Sequence, residues 1–272
     1  MKTFCCPVCG EELIKNEKTY SCQNNHSFDI SKKGYVNLLM SQTNKNKRHG
    51  DDKLMVNARR DFLNGKWYDK LREALFEEIS AGFEKGNTLL DAGCGECYYT
   101  SYFYKRLFES GMQPNVLGVD ISKNALEKAD RTVPLERAVA SIFSIPVQDE
   151  ACDRVVNIFA PHSEDEFYRI LKKGGKLIRA VPLPRHLWQL KQCVYDKPYE
   201  NDIEDYSLKG FKIINERELK YEITLADNKT INDLFMMTPY YYKTSKEDFD
   251  KLKSVDTLKT EIEFLVLTYE KI

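Results

Sequence analysis

The sequence of 272 residues contains no apolar run close to the length that a membrane-spanning helix needs, about 20 residues. Its first residues, MKTFCCPVCGEE, lack the apolar segment of a secretory signal. These absences argue against a membrane or secreted protein and make the cytoplasm the expected location. Internal repeats are also missing. The length predicts one large domain, or one medium domain with a small one.

The chain also lacks a strong excess of charge, with a formal net charge of −1 at pH 7. Residues 1–66 hold 12 Lys/Arg against 7 Asp/Glu, a net +5, whereas residues 67–272 carry −6. A positive N-terminal part is typical of a module that faces nucleic acid. Small lysine-rich modules are equally often positive for solubility alone, so charge by itself leaves both interpretations open.

Cysteine is concentrated at the N-terminus, where four of the eight cysteines lie within the first 22 residues. Disulfides are not expected in a reducing compartment, so this clustering indicates a metal. The spacing Cys6-x2-Cys9-x12-Cys22-x3-His26 is typical of a structural zinc site, because it brings together two short ligand pairs. Cys5 is an alternative partner for Cys9, although the Cys-x2-Cys spacing favours Cys6. Unrelated thiols beside a surface histidine are the alternative interpretation.

Three regions are predicted along the chain, at 1–38, 39–66 and 67–272. The first is the zinc module, too small to build a core without metal. The second is a polar linker that becomes helical after Gly50. In the third, apolar strands alternate with helices, which predicts an α/β fold with a mostly parallel sheet. The predicted strands are Thr88–Ala92, Asn115–Val119, Arg137–Ala140, Arg154–Ala160 and Lys176–Val181, followed by a late antiparallel pair from residues 211–225 and 264–269.

The segment TLLDAGCGECYYT leads from a buried strand through a glycine-rich turn into a helix. Gly93 and Gly95 permit a tight turn and a close approach of the backbone to a ligand. Asp120 ends the next strand, 25 residues after Gly95, where acidic residues bind ribose hydroxyls. Tyr99 replaces the third glycine that a dinucleotide fold requires. The pattern that begins at Asp91, D-x-G-x-G, therefore resembles the first motif of class I methyltransferases; a tight turn without a ligand is the alternative.

Both motifs together resemble those of bacterial 23S ribosomal RNA guanine-N1 methyltransferases, over nearly the whole chain. The segments that carry the resemblance are CPVC, YSCQNNHSFDISKKGYVNLL, HGDDKLMVNARRDFL, LLDAGCGECYYT, GVDIS, FAP, LKKGGKLI and PRHLWQLK. The HSFD…GYVNLL and ARRDFL segments are specific to this family. The methyltransferase core alone would not be.

The resemblance implies a class I S-adenosylmethionine-dependent methyltransferase with a Rossmann-like, mostly parallel seven-stranded sheet and a small N-terminal zinc domain. It implies methylation of guanine N1 in a 23S ribosomal RNA hairpin, which the zinc module helps to grip, and a homodimer. Structural zinc would be bound by Cys6, Cys9, Cys22 and His26. Together with the motifs, the resemblance predicts cofactor contacts from Tyr68, Asp91, Gly93, Gly95, Glu96, Cys97, Asp120, Ile121, Ser141, Asn157 and His186.

Cys97 departs from the family pattern, which has a glycine at this position. A side chain there is expected near the cofactor, and the turn would impose a backbone angle that is costly for a residue other than glycine. Cys94 and Cys97 form a second Cys-x2-Cys pair. The turn geometry that the cofactor demands argues against metal binding there.

The base that receives the proton of guanine N1 is not identified by the sequence. His162 and Asp165 follow the fourth strand and are candidates, with ordinary loop or N-cap roles as the alternative. Candidates for stacking on the target base, if they do not simply pack in the core, are Tyr98, Tyr99, Phe159 and Trp188. Candidates for contacting RNA phosphates, if they are not simply solvated, are Lys45, Lys47, Arg48, Arg59 and Arg60.

Two other functions stay open. One is a methyltransferase for a small molecule, in which zinc only stabilises the fold; the positive N-terminal region argues mildly against it. The other is an RNA-binding protein whose methyltransferase core has lost catalysis, supported by Cys97 alone.

Overall fold

The structure is a computed structural model that describes residues 4–40, 50–203 and 205–272. Lys45, Lys47 and Arg48 lie outside the described residues, as does most of the predicted linker. No helix in the described ranges is both long enough and apolar enough to cross a membrane.

The described residues form eleven strands and eight α-helices, with short 3-10 helices at Tyr241–Lys243 and Lys251–Ser254. The strands are β1 (Ile14–Lys15), β2 (Thr19–Ser21), β3 (Ser27–Asp29), β4 (Val36–Asn37), β5 (Thr88–Ala92), β6 (Asn115–Asp120), β7 (Glu136–Val139), β8 (Cys152–Ile158), β9 (Leu171–Pro182), β10 (Phe211–Leu225) and β11 (Leu258–Lys271). The helices are α1 (Lys53–Asn64), α2 (Asp69–Ser80), α3 (Tyr98–Glu109), α4 (Lys123–Leu126), α5 (Glu164–Ile170), α6 (Trp188–Val194), α7 (Asn228–Met236) and α8 (Lys246–Asp250).

The main sheet has the order β10-β11-β9-β8-β5-β6-β7-β4. Strands β4 to β9 of this sheet pair in parallel, whereas β11 pairs antiparallel with both β9 and β10. The predicted α/β class and the late antiparallel pair are confirmed. The second strand of that pair is longer than predicted, because β11 covers Leu258–Lys271 and not only residues 264–269; residues 211–225 form one strand of 15 residues.

The sheet of the described residues has eight strands where seven were predicted. The additional strand is β4, which lies in the predicted zinc module and pairs with β7. Val36 is aligned with Ala138, and the backbone N–H of Leu38 donates to the carbonyl of Val139 at 3.0 Å. Because β4 is only two residues long, it has no periodic pattern that sequence analysis could detect.

Helix α1 begins at a side-chain cap and buries one face. The carboxylate of Asp52 accepts a hydrogen bond from the Met55 backbone N–H at 2.9 Å, which satisfies an otherwise unpaired donor of the first turn. Phe62 and Leu63 are almost fully buried on the inner face. Burial of each such side chain contributes about 1.5–3 kcal/mol. This packing fixes the position of the helix from which Arg59 projects.

Helix α4 covers only the four residues Lys123–Leu126. Ser122 caps it, since its hydroxyl accepts from the Ala125 backbone N–H at 3.3 Å. The chain then turns, and Asp130 accepts from the backbone N–H of Thr132 at 2.9 Å. Such a local side-chain hydrogen bond offers the backbone an alternative to the helix, and Pro134 follows.

The zinc module packs directly against the edge of the main sheet. Phe4, Leu13 and Tyr20 are buried in the same cluster as Leu117 and Ala138 of the sheet. A polar contact supplements this core: Lys15 forms an ion pair with Glu136 at 2.8 Å, and the Tyr20 hydroxyl donates to the same carboxylate. The module therefore shares one hydrophobic core with the main sheet.

Candidate functional site: a cysteine–histidine cluster and a glycine-rich turn

The ligand atoms of Cys6, Cys9, Cys22 and His26 lie within 4.8 Å of one another. Nδ1 of His26 is 3.5 Å from the Cys6 sulfur and 3.4 Å from the Cys22 sulfur, and the Cys9 and Cys22 sulfurs are 3.7 Å apart. With Zn–S of about 2.3 Å and Zn–N of about 2.0–2.1 Å, a tetrahedral site has S–S edges of about 3.8 Å and S–N edges of about 3.6 Å. The observed distances match these edges, so the residues fit a structural zinc ion.

Cys5 does not belong to this cluster. It is 7% exposed, and its backbone N–H donates to the carbonyl of Pro146 at 2.8 Å, which directs it towards the main sheet. Burial raises the pKa of the Cys5 thiol to about 11, as expected for a structural cysteine. In contrast, a hydrogen bond from the Asn24 side chain lowers the pKa of Cys9 to about 6 and favours the thiolate that zinc requires. The structure thus brings Cys6, and not Cys5, next to Cys9, in agreement with the spacing argument.

The glycine-rich turn between β5 and α3 has a left-handed backbone at both glycines. The φ angles are 94° at Gly93 and 55° at Gly95. A Cβ atom on Gly93 would lie 2.5 Å from the Cβ of Ala160, so the turn and the end of β8 approach too closely for any side chain. Glycine is therefore required at Gly93 by both backbone angle and space.

Asp120 holds the turn from the end of the neighbouring strand β6. Its Oδ2 accepts from the Gly95 backbone N–H at 2.8 Å, and its Oδ1 accepts from the Ser122 backbone N–H at 2.6 Å. Burial raises the pKa of Asp120, while these two hydrogen bonds oppose the shift. The carboxylate is thus fixed where the sequence predicts ribose binding.

Asp91 and Asn157 form hydrogen bonds that stabilise the glycine-rich turn. Oδ2 of Asp91 accepts from the Thr100 hydroxyl at 2.5 Å, and burial raises the pKa of Asp91 to about 7. The Asn157 amide donates to the carbonyls of Ala92 and Pro161, each at 3.0 Å. Both side chains are 2% exposed. Asn157 thus connects the ends of β5 and β8, and Asp91 connects β5 to α3.

Glu96 is the buried acidic residue of the turn. It is 7% exposed, and neither of its carboxylate oxygens has a hydrogen-bond partner in the described residues. Burial raises the pKa of Glu96, and the charge of Arg59 opposes this. Buried carboxylate oxygens normally have partners, so this unsatisfied pair indicates a ligand with hydrogen-bond donors.

Cys97 adopts the left-handed conformation that the sequence predicts, with φ 62°. Its side chain is fully buried, and a Cβ built on Gly118 would lie 3.8 Å from its sulfur. The thiol therefore points into the core below the turn. Cys94 lies beside it, within 2.9 Å of the same built Cβ. Among the described residues, the metal-ligand cluster includes neither of these thiols.

Tyr68 and His186 meet at the carboxyl end of the sheet. Oη of Tyr68 is 3.4 Å from Nε2 of His186, and the Glu263 backbone N–H donates to Nδ1 at 3.3 Å. Burial lowers the pKa of His186 to about 3, so the ring is neutral. Because Nδ1 accepts from the Glu263 backbone N–H, the single ring hydrogen is on Nε2. Nε2 then donates to the Tyr68 oxygen, which leaves the phenolic hydrogen to be directed elsewhere.

Phe159 and Phe264 complete an aromatic cluster around this pair. The Phe264 ring centroid is 5.0 Å from those of Tyr68 and Phe159 and 4.5 Å from that of His186. Phe159 has a left-handed φ of 52° and is 45% exposed, unlike its buried neighbours. Sequence analysis missed Phe264, because the apolar pattern of β11 does not distinguish it from ordinary core residues.

Ile121 and Ser141 lie at the carboxyl ends of β6 and β7. Ile121 lines a cavity of about 460 Å³ together with Val139 of β7 and with Asn37 and Leu39 of the N-terminal segment. The Ser141 hydroxyl accepts from the Phe143 backbone N–H at 3.2 Å. Residues from the N-terminal segment and from the main sheet thus meet at the carboxyl ends of β6 and β7.

Comparisons with known proteins agree with both parts of this site. Residues 4–47 match the family model of the RlmA N-terminal zinc ribbon, and residues 90–179 match that of a methyltransferase domain. YxjB of Bacillus subtilis (strain 168), provisionally named a 23S rRNA (guanine-N(1)-)-methyltransferase, is 31% identical over 97% of this chain and 95% of its own length. The 23S rRNA (guanine(748)-N(1))-methyltransferase of Streptomyces fradiae is 34% identical over 68% of this chain and 65% of its own.

The chain belongs to the 23S rRNA (guanine-N1)-methyltransferase family. Its class I methyltransferase domain uses S-adenosylmethionine, and its zinc ribbon binds structural zinc. The left-handed glycines and the unsatisfied Glu96 fit that cofactor, as the ligand distances fit zinc.

The two base candidates of this family member lie beyond β8 in different surroundings. The guanidinium of Arg179 is 3.1 Å from Nδ1 of His162, so the lone pair of that nitrogen is engaged. Asp165 is an exposed residue of the first turn of α5. The Arg179 contact argues against His162 as a base that acts through Nδ1.

The aromatic candidates separate according to exposure. Tyr99 is packed in the core, the Tyr98 hydroxyl donates to Asp69 at 3.1 Å, and Trp188 lies against the guanidinium of Arg185. Phe159 is therefore the stacking candidate that the geometry favours.

Arg59 and Arg60, adjacent on α1, have different surroundings. Arg60 is 39% exposed and pairs with Asp61 at 2.7 Å. Arg59 is 25% exposed and pairs with Asp51 at 2.5 Å, with its guanidinium over the glycine turn. The prediction that Arg59 contacts RNA phosphate is thus not supported, because the side chain turns inward on α1.

Proposed function

We propose that this protein transfers a methyl group from S-adenosylmethionine to N1 of a guanine in a hairpin of 23S ribosomal RNA in the cytoplasm. The observation that carries the proposal is the intact zinc cluster and cofactor turn in a chain that aligns with YxjB over 97% of its length. The positive charge of the N-terminal part agrees with an RNA substrate.

The cofactor, when bound, supplies a methyl group on a sulfonium that is ready for in-line displacement. The residues of the chain bind and orient it: Asp120 holds the ribose hydroxyls, and Glu96 accepts from the amino-acid part. The cavity lined by Ile121 and Val139, at the carboxyl ends of β6 and β7, receives the adenine. Orientation of two reactants in this way can supply about 7–11 kcal/mol of the barrier.

The aromatic cluster is proposed to receive the guanine. Phe159 offers an exposed ring on which an unstacked base can lie, and base–aromatic stacking contributes about 1–3 kcal/mol. Tyr68 lies next to it, 6.4 Å between centroids, with a phenolic hydrogen that His186 does not use. We infer that this hydrogen binds the cofactor, as the family resemblance implies. Asp165 stays the candidate for receiving the N1 proton.

RNA contact is proposed at the zinc module and at Arg60. Replacement of Arg60 by Ala should weaken RNA binding and reduce the salt slope of log K by about 1 for each lost phosphate contact. Replacement of Arg59 should not change that slope. We also propose a homodimer, on the family resemblance alone, and sedimentation at several protein concentrations tests it.

Transfer of a labelled methyl group to large-subunit RNA without modifications tests the proposal. Label at N1 of one guanine in a hairpin loop is the expected result, and mapping the product identifies the nucleotide. Cofactor binding without transfer to RNA would favour the small-molecule methyltransferase. RNA binding without cofactor binding would favour the non-catalytic alternative.

A further inference from the structure

Arg59 reaches from α1 over the cofactor turn. The nearest atom to a Cβ built on Gly95 is Nη1 of Arg59, at 3.9 Å. The other terminal nitrogen, Nη2, pairs with Asp51 at 2.5 Å. One side of the guanidinium therefore faces the turn while the other is held by Asp51.

One carboxylate, that of Asp51, pairs with this guanidinium, and the charges of two others act on it. Burial lowers the pKa of Arg59, but the charges of Asp51, Glu96 and Asp120 outweigh it and raise that pKa. Conversely, burial raises the pKa values of both Glu96 and Asp120, and the charge of Arg59 opposes that shift in each of them. The carboxylates of Asp51, Glu96 and Asp120 thus outnumber the guanidinium of Arg59, which lies above the glycine turn.

This charge pattern complements the methionine part of the cofactor. That part carries an ammonium, a sulfonium and a single carboxylate. Acidic side chains suit the two positive groups, but the carboxylate needs a cation at the same end of the site. A guanidinium binds carboxylate in a fork with two parallel hydrogen bonds.

We propose that Arg59 binds the α-carboxylate of S-adenosylmethionine through Nη1, while Glu96 accepts a hydrogen bond from the α-ammonium. This inference rests on the proposed function, because it assumes this cofactor in this turn. Asp51 pairs with Nη2 and competes with the cofactor for the hydrogens of the guanidinium. Arg59 is then a cofactor-binding residue and not an RNA contact.

Titration calorimetry with two ligands tests the assignment. S-adenosylhomocysteine carries the carboxylate, whereas methylthioadenosine shares the nucleoside and lacks the amino acid. Arg59→Ala should raise the Kd for S-adenosylhomocysteine about 10–100-fold, the range for a hydrogen bond to a charged group. The Kd for methylthioadenosine should change less than about 3-fold. Arg60→Ala, on the adjacent position, should leave both constants unchanged.

Asp51→Ala separates carboxylate binding from a structural role of the Asp51–Arg59 pair. The proposal predicts equal or tighter binding of S-adenosylhomocysteine, because competition for the guanidinium is removed. If Asp51→Ala weakens binding as much as Arg59→Ala does, Arg59 only holds the segment and the inference is wrong. Equal losses for both ligands in Arg59→Ala would also overturn it. Failure of the wild-type protein to bind either ligand would instead overturn the proposed cofactor site.

Discussion

The Gly95 backbone N–H donates to Oδ2 of Asp120 at 2.8 Å, which joins the glycine turn to the end of the next strand. The same carboxylate accepts from Ser122 on its other oxygen. Asp120 is thus held by backbone donors on two loops, and its position does not depend on side-chain rotamers elsewhere.

Asp120→Asn should therefore weaken cofactor binding without unfolding the protein. The amide nitrogen cannot accept, so one backbone donor and one ribose hydroxyl lose their partner. A hydrogen bond to a charged group contributes about 1.5–3 kcal/mol, so the Kd for S-adenosylhomocysteine should rise about 10–100-fold. Calorimetry measures it, with Asp130→Asn as the matched control in the turn that follows α4. Equal Kd values in both variants would contradict the ribose assignment.

Zinc content should depend on Cys9 and not on Cys5. Cys9→Ser removes a ligand, and even outer-shell changes at metal sites cost about 10–100-fold in affinity, so the loss should be at least that large. Cys5→Ala should retain one zinc ion per chain in elemental analysis after dialysis against a weak chelator. Loss of zinc from Cys5→Ala but not from Cys9→Ser would reverse the assigned ligands.

The left-handed backbone at Cys97 predicts an inverted order of stability for two small replacements. Both replacements lose the buried thiol, and both must adopt the φ of 62°. This left-handed backbone costs Ala roughly 1–2 kcal/mol, whereas it costs Gly nothing. After the larger chain entropy of glycine is included, Cys97→Gly should be more stable than Cys97→Ala by roughly 0.5–1 kcal/mol in urea unfolding.

Cys152 is the matched control for that pair, because it is fully buried in β8 and not left-handed. There Ala should be more stable than Gly. The same order at both positions would show that backbone strain at Cys97 does not govern its replacement.

His186 should make the protein less stable as the pH falls. In the unfolded chain its pKa is about 6.5, whereas burial lowers its pKa in the folded protein to about 3. Only the unfolded chain takes up the proton between these values, so stability is full above pH 6.5 and is lost towards pH 3. Between pH 7 and pH 5 the wild type should lose about 2 kcal/mol more than His186→Gln. Parallel pH profiles would mean that His186 is protonated normally.

The zinc ligands and the glycine turn could be predicted from the sequence because each depends on short spacings. Cys-x2-Cys and D-x-G-x-G bring their groups together within one or two turns of chain. The parallel sheet was likewise predictable, because its buried strands are continuous apolar runs. Even the unusual φ at Cys97 followed from the turn that its neighbours form.

Contacts between distant parts of the chain could not be predicted in the same way. Arg59 was predicted to contact RNA because nothing in the local sequence shows that its side chain packs against Asp51 and the turn at Gly95. Those contacts form only in the folded chain. Phe264 lies almost 200 residues from Tyr68 in the sequence. The apolar pattern of a buried strand does not indicate which aromatic ring each of its side chains contacts. These positions depend on tertiary packing, which the local pattern does not specify.

The pairing of β4 with β7 has a consequence for any shortened form of this protein. Removal of the zinc ribbon at residue 38 would delete β4 and expose the backbone hydrogen-bonding groups of β7. An uncovered edge of this kind can pair with the edge of another chain. The isolated catalytic domain should therefore self-associate and aggregate, so the ribbon also acts as an edge cover that keeps the sheet soluble.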